Sequence, residues 1–178
     1  TDDLQIARNV VHGVGGYGVQ TGASTSGCAR LSITDNVFRA CAGNAVDIGD
    51  STLTTFCNIS RNLMTGGSGR GVAFRGAAGC RIQGNTISGA TDIAISMSVG
   101  SSRSGLGFVK DNTISGGCTN SGIYLNNYDD VLVSDNIATG ITASMWGLGA
   151  LLGPLLGGLF GEFGAWRWAY GSVAAAAI

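Results

Sequence analysis

One asparagine-centred frame recurs six times before residue 140. The asparagines are Asn9, Asn36, Asn62, Asn85, Asn112 and Asn136, so the intervals are 27, 26, 23, 27 and 24 residues. An aliphatic residue lies three positions before each asparagine, and a glycine or alanine lies four positions after it. A repeat of this length in a chain with 31 glycines predicts a solenoid, in which each repeat forms one coil that stacks on the previous one.

Each repeat contains three short apolar segments with the period-two alternation of β-strands. The first segment precedes the asparagine, the second follows it directly, and the third lies further along, as in residues 46–48 and 123–125. Glycine and polar clusters separate the segments. Because no long stretch of helical periodicity occurs before residue 140, βαβ units are excluded, and three parallel sheets are expected.

The asparagine has a predicted structural role at the turn between the first two segments. Asparagine adopts a left-handed backbone conformation at low cost, so we expect each ladder asparagine to make that bend itself. Its amide is expected to bond the asparagine or the backbone of adjacent coils, forming a ladder along the axis. The small residue four positions later, for example Gly66 or Gly89, predicts a second tight corner.

The units 82–89 and 109–116, IQGNTISG and VKDNTISG, resemble the short repeat motif of right-handed parallel β-helix proteins of the pectate-lyase-like class. The resemblance covers roughly residues 4–141. It implies a mainly β fold for residues 1–139, a single-stranded right-handed parallel β-helix of five to six coils. It does not decide function, because the class includes polysaccharide lyases, glycoside hydrolases, epimerases, tail-spike-like proteins and binding modules.

Enzymes of that class commonly carry acids and bases on the outward face of the third segment. The corresponding outward residues here are Gln20, Asp47, Ala73, Ser96 and Tyr124, followed two positions later by Gly49, Arg75, Ser98 and Asn126. With one carboxylate, this face has neither the acid cluster of a calcium site nor the carboxylate pair of an inverting hydrolase. Asp47 and Arg75 are either a catalytic acid or base with an anion-binding group, or a solvated surface pair.

Other polar residues give weaker functional hypotheses. His12, the only histidine, is a candidate general base in a turn beside Gly13, or a turn histidine without a catalytic role. Tyr124 and Asn126 join Asp47 and Arg75 as candidate glycan-contacting residues. Arg8, Asp35, Arg61, Asp111 and Asp135 share the position before the asparagine; the first three predict alternating surface charge, and the last two predict stacked like charges that attract a cation.

The cysteines do not predict a metal site. None of the five has C-x-x-C spacing, so neither zinc nor a full disulfide framework is expected. Cys57 and Cys80 share one repeat position, which predicts small buried side chains stacked in the core, with a disulfide between neighbouring coils as the alternative. No cofactor is predicted. With 10 basic and 11 acidic residues and scattered arginines, nucleic-acid binding is not expected.

Residues 140–178 differ sharply in composition from the repeats, which predicts a domain boundary at 139/140. No charge occurs between Ile137 and Gly161, a stretch long enough for a hydrophobic α-helix that crosses a bilayer. The segment has glycine or proline at six fixed positions: Gly140, Gly149, Gly153, Pro154, Gly157 and Gly158. These positions resemble the fifth-helix antiporter motif of major facilitator superfamily drug exporters, and residues 165–168 resemble the start of the next helix. The resemblance implies membrane association through this segment, as an anchor or as part of a chimeric or truncated gene, and a helix capping the coil is the remaining alternative.

Taken together, these patterns predict a carbohydrate-facing β-helix module of the cell surface or envelope, without a recognisable catalytic set. One alternative is a polysaccharide lyase, epimerase or glycoside hydrolase acting on the outer face through Asp47. Another is a truncated or chimeric drug-exporter fragment fused to a β-helix. The partners predicted are a polysaccharide or other glycan, and a membrane through residues 140–178. Whether the chain is an enzyme stays open at this point.

Overall fold

The computed structural model describes residues 3–22, 30–49, 56–75, 79–103, 107–128 and 130–139. These residues form 17 strands. In chain order they are β1 (Asp3–Ala7), β2 (Val10–His12), β3 (Val19–Thr21), β4 (Arg30–Thr34), β5 (Val37–Arg39), β6 (Val46–Ile48), β7 (Phe56–Ser60), β8 (Leu63–Thr65), β9 (Val72–Phe74), β10 (Cys80–Gln83), β11 (Thr86–Ser88), β12 (Ile93–Arg103), β13 (Gly107–Lys110), β14 (Thr113–Ser115), β15 (Ser121–Tyr128), β16 (Val131–Ser134) and β17 (Ile137–Thr139).

Each strand pairs with the strand three places away in the chain, and every pairing is parallel. The first sheet has the order β1-β4-β7-β10-β13-β16, the second β2-β5-β8-β11-β14-β17, and the third β3-β6-β9-β12-β15. Three successive strands therefore make one coil. We number the coils 1 to 6 from β1–β3 onward, and the described residues of coil 6 contribute β16 and β17 alone. The predicted parallel β-helix of five to six coils is confirmed.

Inward-facing side chains stack in rows along the axis. Ile33, Ile59, Ile82 and Val109 lie in register in the first sheet, and each is 0% exposed. Matching rows in the other two sheets include Phe38 with Met64 and Val46 with Val72, all buried. The core is thus a column of apolar side chains whose removal from water drives the coiling.

The predicted asparagine ladder is present at all six positions. In each adjacent pair, the Oδ1 atom of the later asparagine accepts hydrogen bonds from the backbone N–H and the Nδ2 group of the earlier one, as between Asn36 and Asn62 at 3.0 and 3.1 Å. The Nδ2 group also donates to a carbonyl of the preceding coil, as from Asn62 to Ile33 at 2.9 Å. The four middle asparagines are at most 1% exposed, so these bonds satisfy amides that water cannot reach.

The expectation that the asparagine itself makes the left-handed bend is wrong. Positive φ angles near 60° fall on the preceding residue in every coil. These residues are Arg8, Asp35, Arg61, Gly84, Asp111 and Asp135. Because the bend occurs one position earlier, the asparagine side chain lies inside the corner, where it reaches both neighbouring coils. The second corner follows the prediction: Gly13, Ala40, Gly66, Gly89 and Gly116 all have positive φ, and Gly140 lies outside the described residues.

The cysteine prediction is also confirmed where the structure describes it. Cys57 and Cys80 are register partners in the first sheet, buried and not disulfide-bonded. Burial, together with the hydrogen bond and charge of Cys57, holds the pKa of the Cys80 thiol well above its usual range. Cys80 is therefore an inert core side chain, because the thiolate is the reactive form.

Contacts divide the chain into two compact units, Thr1–Thr139 and Gly140–Ile178. The hydrophobic helix and the transporter-like motif predicted for residues 140–178 lie outside the described residues. Within the described ranges, no helix has the length and apolar character needed to cross a membrane.

Candidate functional site

The third sheet brings the predicted outward residues into one row. Strand pairing places Gln20 beside Asp47, Asp47 beside Ala73, Ala73 beside Ser96, and Ser96 beside Tyr124. Ser98 and Asn126 pair two positions further along, with a 3.4 Å hydrogen bond from Asn126 Nδ2 to Ser98 Oγ. We call these two rows the outer face of the third sheet.

The middle of this face is buried, although its ends are open. Asp47 is 2% exposed and Ser96 is 1% exposed, whereas Tyr124 is 39% exposed. All three residues of β6 and of β9 are buried, so both sides of the sheet are shielded from water there. The interpretation of Asp47 and Arg75 as a solvated surface pair is therefore wrong for the carboxylate.

Asp47 is buried because two donors satisfy its two oxygens. Arg75 donates from Nη2 to Oδ1, and Asn44 donates from Nδ2 to Oδ2 at 2.7 Å. The Arg75 side chain remains 40% exposed while its partner is covered. A buried carboxylate requires this kind of compensation. Since both oxygens are occupied, Asp47 is better suited to fixing the position of Arg75 than to transferring a proton.

A second ion pair lies one coil further along. Arg70 donates from Nε to Asp92 Oδ2 at 3.1 Å and from Nη1 to Ser96 Oγ at 3.2 Å. Its backbone N–H also donates to Asn44 Oδ1 at 2.9 Å, which joins the two ion pairs into one network. We call this set, Asn44, Asp47, Arg70, Arg75, Asp92 and Ser96, the arginine network. It spans coils 2 to 4 on the outer face.

Sequence reasoning missed three members of the arginine network. Asn44 and Arg70 each lie eight residues after a ladder asparagine, so the shared repeat position was a signal that they would meet. Asp92 carried no comparable signal, because it lies seven residues after Asn85, one repeat position before the one that Asn44 and Arg70 share. Its contact with Arg70 depends on the reach of the arginine side chain.

The remaining candidates lie elsewhere. His12 is exposed at the last position of β2, in the second sheet, where it pairs with Arg39 rather than with any residue of the arginine network. The hypothesis placed it in a turn, whereas it ends a strand just before the Gly13 corner. The described structure therefore does not bring His12 together with Asp47.

The charged position before the ladder forms ion pairs between coils. Arg61 donates from Nε and Nη2 to the two oxygens of Asp35, both at 2.8 Å. The hydrogen bond from Arg61 lowers the pKa of Asp35, and partial desolvation opposes it. The charge of Arg61, a hydrogen bond from Thr34 and the charge of Arg8 lower the pKa further. Asp111 accepts from Gln83 at 2.9 Å, and Asp135 lies 3.5 Å from Lys110. Across the described ranges, no group of three or more histidine, cysteine, aspartate or glutamate side chains is placed to hold a metal ion.

Comparison with known proteins decides the family. The family described as "Right handed beta helix region" matches residues 1–150. The chain belongs to this right-handed β-helix family. The match covers every coil described above, so the handedness expected from the repeat motif holds. No solved structure matches the chain significantly.

Two curated relatives match a short stretch. They are each named "Probable multidrug-efflux transporter", from Mycobacterium tuberculosis strains CDC 1551 and H37Rv, and are 52% identical to this chain over 31 residues. The match covers 17% of this chain and 7% of either transporter. It covers far too little of either transporter to assign their activity to this chain.

Proposed function

We propose that the β-helix is a carbohydrate-binding module of the cell surface or envelope, and that the outer face of the third sheet holds the glycan. The observation that most supports this proposal is the geometry of Arg75, a half-exposed cation whose position is fixed by a buried carboxylate. A guanidinium held in this way presents its remaining N–H groups to a planar anion such as a sugar carboxylate.

The rest of the face supports an extended ligand. Tyr124 and Asn126 lie two coils beyond Arg75 on the same sheet, and neighbouring strands are about 4.8 Å apart. Tyr124 offers an aromatic surface with a polar end, and Asn126 offers an amide. A cavity of about 10 Å³ near Met64 and Ile87 admits at most one water molecule, so the interior there offers no room for a sugar. The exposed parts of Arg75 and Tyr124, two coils apart, suit a polymer with several sugar units better than a single sugar.

The experiment is a titration of the folded chain with an acidic polysaccharide, polygalacturonate, and with a neutral one. The test variant combines Asp47→Asn with Arg75→Gln, which removes both charges without leaving either one buried alone. We expect binding of polygalacturonate to weaken about tenfold, since one charge-assisted contact contributes about 1.4 kcal/mol. The matched control combines Asp35→Asn with Arg61→Gln, an ion pair at the ladder corner, and is expected to bind like wild type. Failure of wild type to bind, or equal loss in both double variants, would overturn the proposal.

The enzyme alternative rests mainly on Asp47, with Arg75 and His12 as weaker candidates. A lyase, epimerase or hydrolase would need this carboxylate to exchange a proton, yet its two oxygens accept hydrogen bonds from Arg75 and Asn44. Product formation from uronic-acid polymers should therefore be absent in wild type and in Asp47→Asn alike. Activity in wild type that Asp47→Asn abolishes would favour the enzyme.

The transporter-fragment alternative concerns residues 140–178 and makes no claim about the outer face of the third sheet. Its support is the short likeness to efflux transporters. If the segment anchors the chain, the protein should stay with the membrane fraction in alkaline carbonate and require detergent for release. Release by carbonate alone would exclude an integral anchor.

A further inference from the structure

We infer that the glycan held by the outer face of the third sheet is a heteropolysaccharide, which contains both acidic and neutral sugar units. The inference rests on the proposed function and names the class of polymer that this face selects. Its basis is a difference between the two ion pairs of the arginine network. Arg75 pairs with a carboxylate that is shielded from water, whereas Arg70 pairs with a carboxylate that is exposed. The first pair therefore offers a ligand hydrogen-bond donors alone, and the second offers donors and an acceptor.

The Arg75 pair suits an acidic sugar unit. The Asp47 side chain is 2% exposed, and its two oxygens accept hydrogen bonds from Arg75 and Asn44, so it is not accessible to a sugar hydroxyl. Arg75 donates to Asp47 from Nη2, and its other side-chain N–H groups make no hydrogen bond to any described residue. A guanidinium edge without an accessible acceptor beside it matches a carboxylate, which accepts hydrogen bonds and donates none.

The Arg70 pair suits a neutral sugar unit. The Asp92 side chain is 43% exposed, and the Arg70 side chain beside it is also partly exposed. Arg70 donates from Nε to Asp92 Oδ2 and from Nη1 to Ser96 Oγ. Among the described residues, Arg70 Nη2 and Asp92 Oδ1 have no further hydrogen bond. A donor and an acceptor side by side match sugar hydroxyl groups, because a hydroxyl group can both donate and accept.

Asp92 also disfavours a second acidic unit. An exposed carboxylate repels the carboxylate of a uronic acid, and such repulsion is one way in which a site rejects a competing ligand. The backbone N–H of Asn120 donates to the Asp92 carbonyl at 3.2 Å, which places this exposed amide beside Asp92 on the next coil. The two side chains can bind hydroxyl groups together, and the charge of Asp92 makes the neutral sugar the better ligand.

The two pairs are far enough apart to contact different sugars of one chain. The guanidinium of Arg75 reaches Asp47 in coil 2. The guanidinium of Arg70 reaches Ser96 in coil 4. Because Asp47 and Ser96 are both register partners of Ala73 in coil 3, the two contacts lie two coil spacings apart, about 10 Å. A single sugar ring does not span that distance, so two units of the same polymer meet different chemistry.

The test measures the affinity of the folded chain for three oligosaccharides of equal length by isothermal titration calorimetry. They are a hyaluronate oligomer, in which a uronic acid alternates with a neutral amino sugar, a polygalacturonate oligomer, in which every unit is acidic, and a neutral dextran oligomer. We expect hyaluronate to bind about fivefold more tightly than polygalacturonate, and dextran to bind least. Asp92→Asn keeps a hydrogen-bonding side chain and removes the repulsion. It should strengthen polygalacturonate binding about fivefold and leave hyaluronate binding unchanged.

Asp35→Asn is the matched control, because Asp35 is also an exposed aspartate paired with an arginine, but it lies at the position before the ladder asparagine. It should leave the preference for hyaluronate unchanged, and circular dichroism melts confirm that both variants are folded. Equal binding of the two acidic oligosaccharides that still depends on Arg75 would overturn this inference and leave the proposed function standing. A preference for hyaluronate that Asp92→Asn does not reduce would also overturn it. If neither acidic oligosaccharide binds, the inference and the proposed function both fail.

Discussion

The turn that carries the asparagine ladder, which we call the ladder corner, repeats the same residue in every coil, whereas the outer face of the third sheet varies from coil to coil. At the corner, the same asparagine recurs in all six coils and bonds to its own copies. On the outer face, the aligned residues Gln20, Asp47, Ala73, Ser96 and Tyr124 all differ. Repetition serves a fold in which each coil must match the next. Variation across an otherwise regular sheet creates a local chemical surface, which is where a binding function belongs.

The largest effect is expected from removing one internal rung of the ladder. Asn62→Ala deletes the acceptor of the Asn36 N–H and Nδ2 groups and the donor to Ile33. Because these groups are buried, the free energy of unfolding should fall by about 4 kcal/mol, measured by urea titration. Asn126→Ala, an amide of the outer face that is partly exposed, is the control and should cost about 0.5 kcal/mol. If the two variants lost similar amounts of unfolding free energy, the ladder would not be more important for stability than the outer face.

An intermediate effect is expected from breaking the arginine network on one side. Asp47→Ala leaves the Nδ2 group of Asn44 without its acceptor and Arg75 without its counter-charge. The Arg75 side chain is 40% exposed, so water can hydrate its charge when the carboxylate is gone. We therefore expect the free energy of unfolding to fall by about 2 kcal/mol. The double variant Asp47→Asn with Arg75→Gln keeps hydrogen-bonding groups at both positions and should lie within about 1 kcal/mol of wild type. A double variant as unstable as Asp47→Ala would show that the charges themselves stabilise the coil.

The smallest effect is expected at the exposed ion pair beside the ladder. Arg61 lowers the pKa of Asp35, so in the folded chain the carboxyl remains ionised to lower pH than in the unfolded chain. The pair therefore stabilises the fold above the unfolded-state pKa, and this contribution is lost as the pH falls through the folded-state pKa. A carboxyl-detected NMR titration should give a higher midpoint for Asp35 in Arg61→Gln than in wild type. An unchanged midpoint would mean that the pair does not persist in solution.

The repeat allowed much of the fold to be predicted. Six frames of similar spacing identified coils, sheets and ladder partners, because stacking in register demands the same residue type at the same place. The left-handed residue was assigned one position too late. Arg8 and Arg61 carry no preference for a left-handed backbone, which hid the position of the bend. The aspartates and Gly84 at the same repeat position do carry one, but the asparagine beside them has a similar preference and is the residue that recurs in every coil.

The candidate site was less predictable. Alternation placed Asp47 on the outward face, but it could not show that Arg75 and Asn44 from neighbouring positions would bury the carboxylate. Arg70 and Asp92 were missed for a related reason, since long side chains cross between coils and their endpoints are not set by strand register. The variable loops that follow the third sheet change the spacing between coils, and periodicity carries no information about those contacts.

Amide hydrogen exchange of the folded chain, with and without an acidic oligogalacturonide, tests the central contrast most directly. We predict slower exchange on binding in peptides that contain β9, β12 and β15, and unchanged exchange in peptides that contain β2, β5 and β8 of the second sheet. This pattern would show that the glycan binds to the outer face of the third sheet and that the ladder corner has a structural role only. Protection centred on the second sheet, or no change anywhere under conditions of saturating ligand, would contradict the account.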